Sequence, residues 1–232
     1  MSILILSIET ATPICSVAVH RNGKLLGVKE TEVEKSHAKL LTIYIEELLT
    51  ELDIQKSQLH AVAVSMGPGS YTGLRIGAST AKGFAYALDI PVIGVDTLSA
   101  LAVGASQLSL NCDFIIPMID ARRMEVYHAI FDSALNPIDA VSPHVFDDKS
   151  FVELFERGKV LMCGDGAIKA KGLFERNAKV IVKENVLPSA KWIGELAFRK
   201  FEAKEFEDVA YFEPFYLKDA HTTVSKKQPL KI

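Results

Sequence analysis

The most chemically suggestive run in the chain is Ser65-Met66-Gly67-Pro68-Gly69-Ser70-Tyr71-Thr72-Gly73-Leu74-Arg75-Ile76-Gly77. A glycine loop between a strand and a helix can turn bare N–H groups and a helix N-terminus toward an anion. Gly67, Gly69, Ser70 and Thr72 are therefore candidates for holding phosphate. The same residues equally describe a tight strand-to-helix turn whose glycines adopt conformations closed to other residues. The run is not a Walker loop, because no Gly-Lys-Ser/Thr follows. Gly67, Gly69 and Gly73 imitate a dinucleotide fingerprint, and a later strand ends in Asp96. That fingerprint opens on the first strand of a βαβ unit, however, whereas this run follows three strands and a helix.

A second candidate is Glu9-Thr10-Ala11-Thr12 at the end of the first apolar run. Glu9 could hold Mg²⁺ through water, with Thr10 and Thr12 touching phosphate; alternatively the carboxylate accepts the N–H groups of its own turn. Asp120-Ala121-Arg122-Arg123 ends a later strand, and Gly164-Asp165-Gly166 follows another. Arg122 or Arg123 could pair an anionic ligand, or form a structural ion pair with Asp120 or Glu125. The six histidines form no HxxxH or HExxH pair, so His37 reads as a surface or capped residue. No GxSxG elbow is present, which leaves a serine hydrolase without support.

The elements that must position these residues follow from periodicity. Ile3 to Ile8 is a short apolar run expected of a strand buried on both faces. Cys15 to His20 and Leu25 to Glu30 flank Asn22-Gly23, a strong hairpin signal. A helix from Ser36, its expected N-cap, to Leu52 comes next, then a strand from Leu59 to Ser65 and a helix from Thr72 to Leu88. A strand from Pro91 to Val95 and a helix from Thr97 to Leu108 close the first half. The second half repeats this order less clearly: strands at 114–119 and 124–131, a turn at Leu135-Asn136-Pro137 into a third, a helix at 149–157, a strand at 159–163, a helix at 168–176, a strand at 179–182 and a helix at 189–204. Glu9 and Asp120 end the first strand of each half; Gly67-Pro68-Gly69 and Gly164-Asp165-Gly166 follow the fourth. A duplicated β-β-β-α-β-α-β unit is the layout of the actin, Hsp70 and sugar-kinase folds. Two similar lobes around a cleft are expected, residues 1–105 and 106–232, with an irregular tail from about 219.

Composition excludes several classes. The chain has 232 residues, is 49 % hydrophobic and carries a formal net charge of -3. A protein neutralising many phosphates alone needs a basic face, and the one dense basic spot is Lys226-Lys227, so independent nucleic-acid binding is not expected. Three scattered cysteines read as reduced buried thiols. No apolar run approaches the ~18 residues of a membrane span, and the N-terminus lacks the basic start of a signal peptide. A cytosolic protein is expected.

The helix after the glycine loop carries a different signal. Gly73, Gly77, Ala81 and Ala85 recur every fourth residue, a smooth ridge onto which another helix could close. The preceding helix has an apolar stripe widened by Leu40, Ile43 and Tyr44. An interface is expected on this pair, involving those three residues with Gly73, Ile76, Gly77, Thr80, Ala81 and Phe84. Arginine at Gly77 or Ala81 is then expected to block pairing and spare the fold.

These motifs resemble the TsaB (YeaZ) family up to about Lys218. Ile5 to Thr12 is similar to that family's ILAIDTST, with Glu9 in place of aspartate. Gly67 to Gly77 reads GPGSYTGLRIG against GPGSFTGLRIG, Asp120 to Tyr127 resembles DARMGEVY, and Pro214 to Lys218 resembles PxYLR. The resemblance implies an actin-like fold without catalysis of its own, serving threonylcarbamoyl addition to the adenosine beside the tRNA anticodon. It further implies pairing through the first two helices with a catalytic TsaD subunit or a second copy, a TsaE ATPase joining the pair, and tRNA contact only through the complex. ATP and Mg²⁺ would be bound by those partners, with weak nucleotide binding by this chain left open. The stretch Ser36 to Leu41 lacks the second histidine and the glutamate of TsaD's HMEGH-type metal motif. The competing readings are a small-molecule kinase or other actin-like ATPase, using Glu9, Asp120 or Asp165 as base, and a metallopeptidase-like protein.

Overall fold

The computed structural model describes residues 2–32, 37–174 and 176–217. The expected N-cap Ser36 and the tail from 218 onward lie outside the described residues.

The fully buried run Leu4–Glu9 forms β1, and Ile14–Arg21 (β2) and Lys24–Glu32 (β3) form the hairpin behind it. Asn22 and Gly23 both take positive φ, 50° and 76°, as a tight hairpin turn demands. After α1 (His37–Glu51) come β4 (Ala61–Gly67), α2 (Tyr71–Leu88), β5 (Val92–Asp96) and α3 (Thr97–Ser106). The second half supplies β6 (Phe114–Asp120), β7 (Glu125–Asp132), β8 (Pro137–Val145), α4 (Val152–Arg157), β9 (Val160–Cys163), α5 (Ile168–Phe174), β10 (Val180–Lys183) and α6 (Ile193–Ala203).

The two sheets have one topology. The first runs β3-β2-β1-β4-β5 and the second β8-β7-β6-β9-β10. In each, the first strand pairs antiparallel with the hairpin and parallel with the fourth strand. Parallel strands put their carboxyl ends on one edge, so Glu9, Gly67 and Asp96 share an edge of the first sheet, and Asp120 and Cys163 an edge of the second.

Alternation along β1 sends Leu4, Leu6 and Ile8 into a core beneath α1 and α2, while Ile5 faces the other side. On that side α3 contributes Ala100 and α6 contributes Ile193 and Ala197. Here the sequence-based division needs correction. Residue 105 separates the two sheets, yet α6, assigned to the second lobe, covers the first sheet. A sheet buried on both faces needs cover on both, and α1 and α2 reach only one. Helix α3 is buried along most of its length and lies between the sheets, its Leu98 and Leu101 packing on Ile115 and Ile119.

The chain after α6 stays with the first lobe. Glu207 N–H donates to Val92 O at 2.9 Å, and the Lys82 ammonium to the carbonyls of Ala210 and Phe212 at 3.0 and 3.2 Å. Phe212 enters the core beneath α2, 6 % exposed, a burial worth about 2 kcal/mol. Phe215 N–H then donates to Met66 O at 2.6 Å, bringing the chain over the glycine loop. Cys15 and Cys163 are buried thiols, as the sequence suggests, whereas Cys112 is only half-buried.

Candidate functional site

The glycine loop is a clamp between three segments. A Cβ on Gly69 would lie 2.5 Å from Ala11 O, and one on Gly67 (φ 116°) 2.5 Å from Phe215 O. A Cβ on Gly73 would collide with Thr10 O, and one on Gly77 with Thr10 Oγ1. Hydrogen bonds close the joint: Ser70 N–H donates to Ala11 O (2.6 Å) and the Thr10 hydroxyl to Gly73 O (2.9 Å). Ser70 caps α2, its hydroxyl accepting from Gly73 N–H at 3.3 Å. Thr72 stands exposed on the first turn of α2. The four glycines are thus required by backbone approach to the β1–β2 turn and to Phe215, whatever else the loop touches.

The same contacts overturn the reading of α2 as a free small-residue ridge. Gly73, Gly77, Ala81 and Ala85 are buried against the lobe's own turn and core. Four-residue spacing of small side chains is what a helix needs to lie close on a sheet, and it looks identical when the neighbour is another helix. The outward face of α2 has other residues. A Cβ on Gly83 would meet nothing within 4 Å, and Tyr86 is 86 % exposed. Ile76, Thr80 and Phe84 are half-buried beside this face. From α1, Leu40 and Tyr44 are half-buried against the core, and Ile43 is 44 % exposed. Gly83 and Tyr86 escaped the sequence reading, although an isolated mid-helix glycine could have marked them.

Glu9 is fully buried at the edge of this clamp. Its Oε1 accepts from Ala11 N–H (2.6 Å) and the Ser65 hydroxyl (2.8 Å), while Oε2 has no hydrogen-bond partner among the described residues. Burial pushes its carboxyl up to about 7, opposed by those hydrogen bonds and reinforced by nearby Asp96. A hydrated cation is held by a charged, water-facing carboxylate, and Glu9 fits that role poorly. The turn-bonding alternative describes what its Oε1 does. Thr12, also buried, leaves its hydroxyl unpartnered among the described residues. His37 Nε2 lies 3.0 and 3.1 Å from the carbonyls of Thr12 and Ile14. Both partners are acceptors, so Nε2 carries the proton and His37 ties the start of α1 to the β1–β2 turn.

The matching edge of the second lobe is open and charged. Asp120 is exposed; its Oδ1 accepts from Lys169 Nζ (2.8 Å) and Arg122 N–H (2.5 Å). Asp120 N–H donates to Asp165 Oδ1 at 3.1 Å, and burial pushes the Asp165 carboxyl up. Gly164 (φ 102°) sits where a Cβ would strike Met118 O. Arg122 and Arg123, at φ 72° and 52°, form the exposed tip of the β6–β7 turn. Lys169, rather than Arg122 or Arg123, is the side chain that pairs with Asp120. The structure therefore gathers the predicted residues into two sets: Glu9, Thr10, Thr12 and the glycine loop, and Asp120 with Gly164. No hydrogen bond or ion pair joins the sets among the described residues. Nor does any group of three or more His, Cys, Asp or Glu among them stand ready for a metal. No described helix is long and apolar enough to cross a membrane.

Known proteins resemble this chain in sequence and in fold. A family model described as "TsaD: tRNA N6-adenosine threonylcarbamoyltransferase" matches residues 16–225. The tRNA threonylcarbamoyladenosine biosynthesis protein TsaB of Escherichia coli is 30 % identical over 227 residues, 93 % of this chain and 94 % of that protein. The Haemophilus influenzae protein of the same name is 28 % identical over 230 residues, 95 % of this chain and 96 % of its own. Among solved structures, YeaZ from Pseudomonas aeruginosa superimposes with a TM-score of 0.78 at 27 % identity, covering 93 % of this chain and 99 % of that one. The activator of 2-hydroxyisocaproyl-CoA dehydratase from Clostridium difficile, at 12 % identity and a TM-score of 0.51, covers 90 % of this chain and 99 % of its own, and shares the two-lobed actin-like fold alone. With its duplicated sheets, its glycine clamp and a relative matched over nearly the whole of both chains, the protein belongs to the TsaB (YeaZ) family.

Proposed function

We propose that the chain is a non-catalytic subunit in the formation of threonylcarbamoyladenosine beside the anticodon of tRNA. It pairs through the outward face of α1 and α2 with a TsaD-like catalytic subunit, and with a second copy of itself when alone. A TsaE-like ATPase joins the pair, tRNA is met only through the complex, and the setting is the cytoplasm. ATP and Mg²⁺ belong to the partners; this chain needs no cofactor of its own.

The name its relatives carry supports the pathway. The observation that carries the scaffold role is the contrast between its acidic groups and its helices. Glu9 is buried within the clamp and Asp120 is paired with Lys169, so neither is poised as a base. The outward helical faces meanwhile offer exposed Ile43 on α1, and exposed Tyr86 with the bare backbone of Gly83 on α2. Exposed aromatic and aliphatic side chains beside bare backbone suit a helix-to-helix interface.

Reconstitution tests the reading. TsaD-like and TsaE-like proteins of the same organism are assayed for tRNA threonylcarbamoylation with and without this chain. Activity that requires the chain, with no ATP turnover by the chain alone, is the expected result. ATP hydrolysis by the isolated chain, without complex formation, would transfer the assignment to an actin-like ATPase or small-molecule kinase.

A further inference from the structure

A cavity of about 370 Å³ has none of the residues of either loop set in its lining. It is a half-open cleft lined by the facing ends of β2 and β3, the C-terminal end of α3 and residues 183–192. Its size falls in the range of small-molecule sites, roughly 300–1,000 Å³. Leu108 and Val186 give it apolar walls, and Trp192 lines it as well. The indole is fixed: its N–H donates to Leu187 O at 3.3 Å, and the bare Cα of Gly104 lies so close that a Cβ there would be 2.7 Å from Nε1.

Three charged side chains line the cavity. The Glu30 carboxylate receives the hydroxyls of Ser189 (2.5 Å) and Ser16 (3.1 Å) on Oε2, and Lys191 Nζ approaches Oε1 at 3.4 Å. The Lys191 ammonium also stands 4.6 Å from the centre of the Trp192 ring. Glu30 and Lys191 therefore answer each other. Lys183, half-buried at the end of β10, has no carboxylate within ion-pair distance among the described residues. Glu184 is the carboxylate whose charge Lys183 feels, but it pairs with Lys171. A half-buried cation that makes no ion pair of its own, beside apolar walls and an indole, is a pattern that an organic anion completes.

We propose that this cavity binds a small organic anion, a carboxylate or phosphate monoester carried on a flat apolar body. Its charge pairs with Lys183 and its body lies along Trp192, Leu108 and Val186. Because the walls come from both lobes, occupancy braces one lobe against the other. The proposal does not depend on the subunit role and can fail or stand without it.

Trp192 is the single tryptophan of the chain, so its indole N–H gives one unambiguous magnetic resonance signal at the site. Benzoate, phenyl phosphate, benzamide and inorganic phosphate are titrated into the full chain, following that signal. Benzoate or phenyl phosphate is expected to shift it saturably, with benzamide and inorganic phosphate at least about tenfold weaker, a difference of roughly 1.4 kcal/mol. Lys183→Gln should weaken the organic anion by about tenfold and Lys183→Arg should restore it, at an unchanged melting temperature. The assignment is overturned if neither organic anion shifts the signal, if benzamide binds as tightly as benzoate, or if Lys183→Gln binds like the parent.

Discussion

The two lobes repeat one topology but finish their strand edges in opposite ways. In the first, Glu9 is buried under a turn that packs against a glycine loop, and the helix after that loop runs 18 residues. In the second, Asp120 is exposed and ion-paired, and the helix after Gly164-Asp165-Gly166 runs 7 residues. A shared fold therefore does not imply a shared edge. The first lobe is sealed by backbone contact and extended into long helices, and the second keeps charged groups at its rim.

The strongest way to break this contrast is to unseal the first lobe. Gly77→Arg places a long charged side chain against Thr10 Oγ1 and Val64. Burying a charge and overpacking a core act together there, and a loss of more than about 4 kcal/mol is expected. Circular dichroism should show a collapsed thermal transition, or no soluble protein. Ala81→Arg, also fully buried, should behave alike. A folded, well-expressed Gly77→Arg protein would mean that the clamp opens without cost.

Glu9→Gln sharpens the comparison in the opposite direction. The folded carboxyl is raised to about 7 from an ordinary 4.5, so the native state binds its proton more tightly than the unfolded chain. Linkage then makes the Glu9 contribution most favourable below pH ~4.5, falling as pH rises toward 7 and level above. Glutamine keeps an oxygen for Ala11 N–H and the Ser65 hydroxyl and removes the ionisation. It should stabilise the protein by about 3 kcal/mol at pH 8 and by about 1 kcal/mol or less at pH 5. Denaturant unfolding at the two pH values checks this; equal effects at both would assign Glu9 an ordinary titration. At the open edge, Asp120→Asn should cost under about 1 kcal/mol at either pH, since its pair with Lys169 is partly exposed.

Much of the fold was legible, for reasons that particular residues make plain. Asn22-Gly23 marked the hairpin, and the paired positions of Glu9 with Asp120 and of the two glycine loops marked the duplication. Local chemistry writes such signals directly into adjacent residues. The position of α6 was not legible, because its apolar stripe fits either sheet and the choice depends on which face lacks cover. Lys169 was missed because its partner is 49 residues away. Lys183 and Trp192 were missed because a cavity is a property of three segments together. The ridge at Gly73, Gly77 and Ala81 was legible as a packing surface but not as to what it packs on, since periodicity names the face and leaves the neighbour open.

That last ambiguity yields the prediction with the smallest cost to stability. On one helix, Gly77 and Gly83 are both exchanged for arginine; the first faces the clamp, the second faces open space. Gly83→Arg should not destabilise the protein and should raise the unfolding free energy by up to about 1 kcal/mol, because an exposed helical position meets no neighbour and loses the entropic cost of glycine. If the outward face is the partner surface, the same change should abolish pairing with a TsaD-like subunit and self-association, as read by analytical ultracentrifugation. A Gly83→Arg chain that still pairs would move the interface elsewhere. The long α2 would then serve only to seal its own lobe, and the difference between the lobes would be one of packing alone.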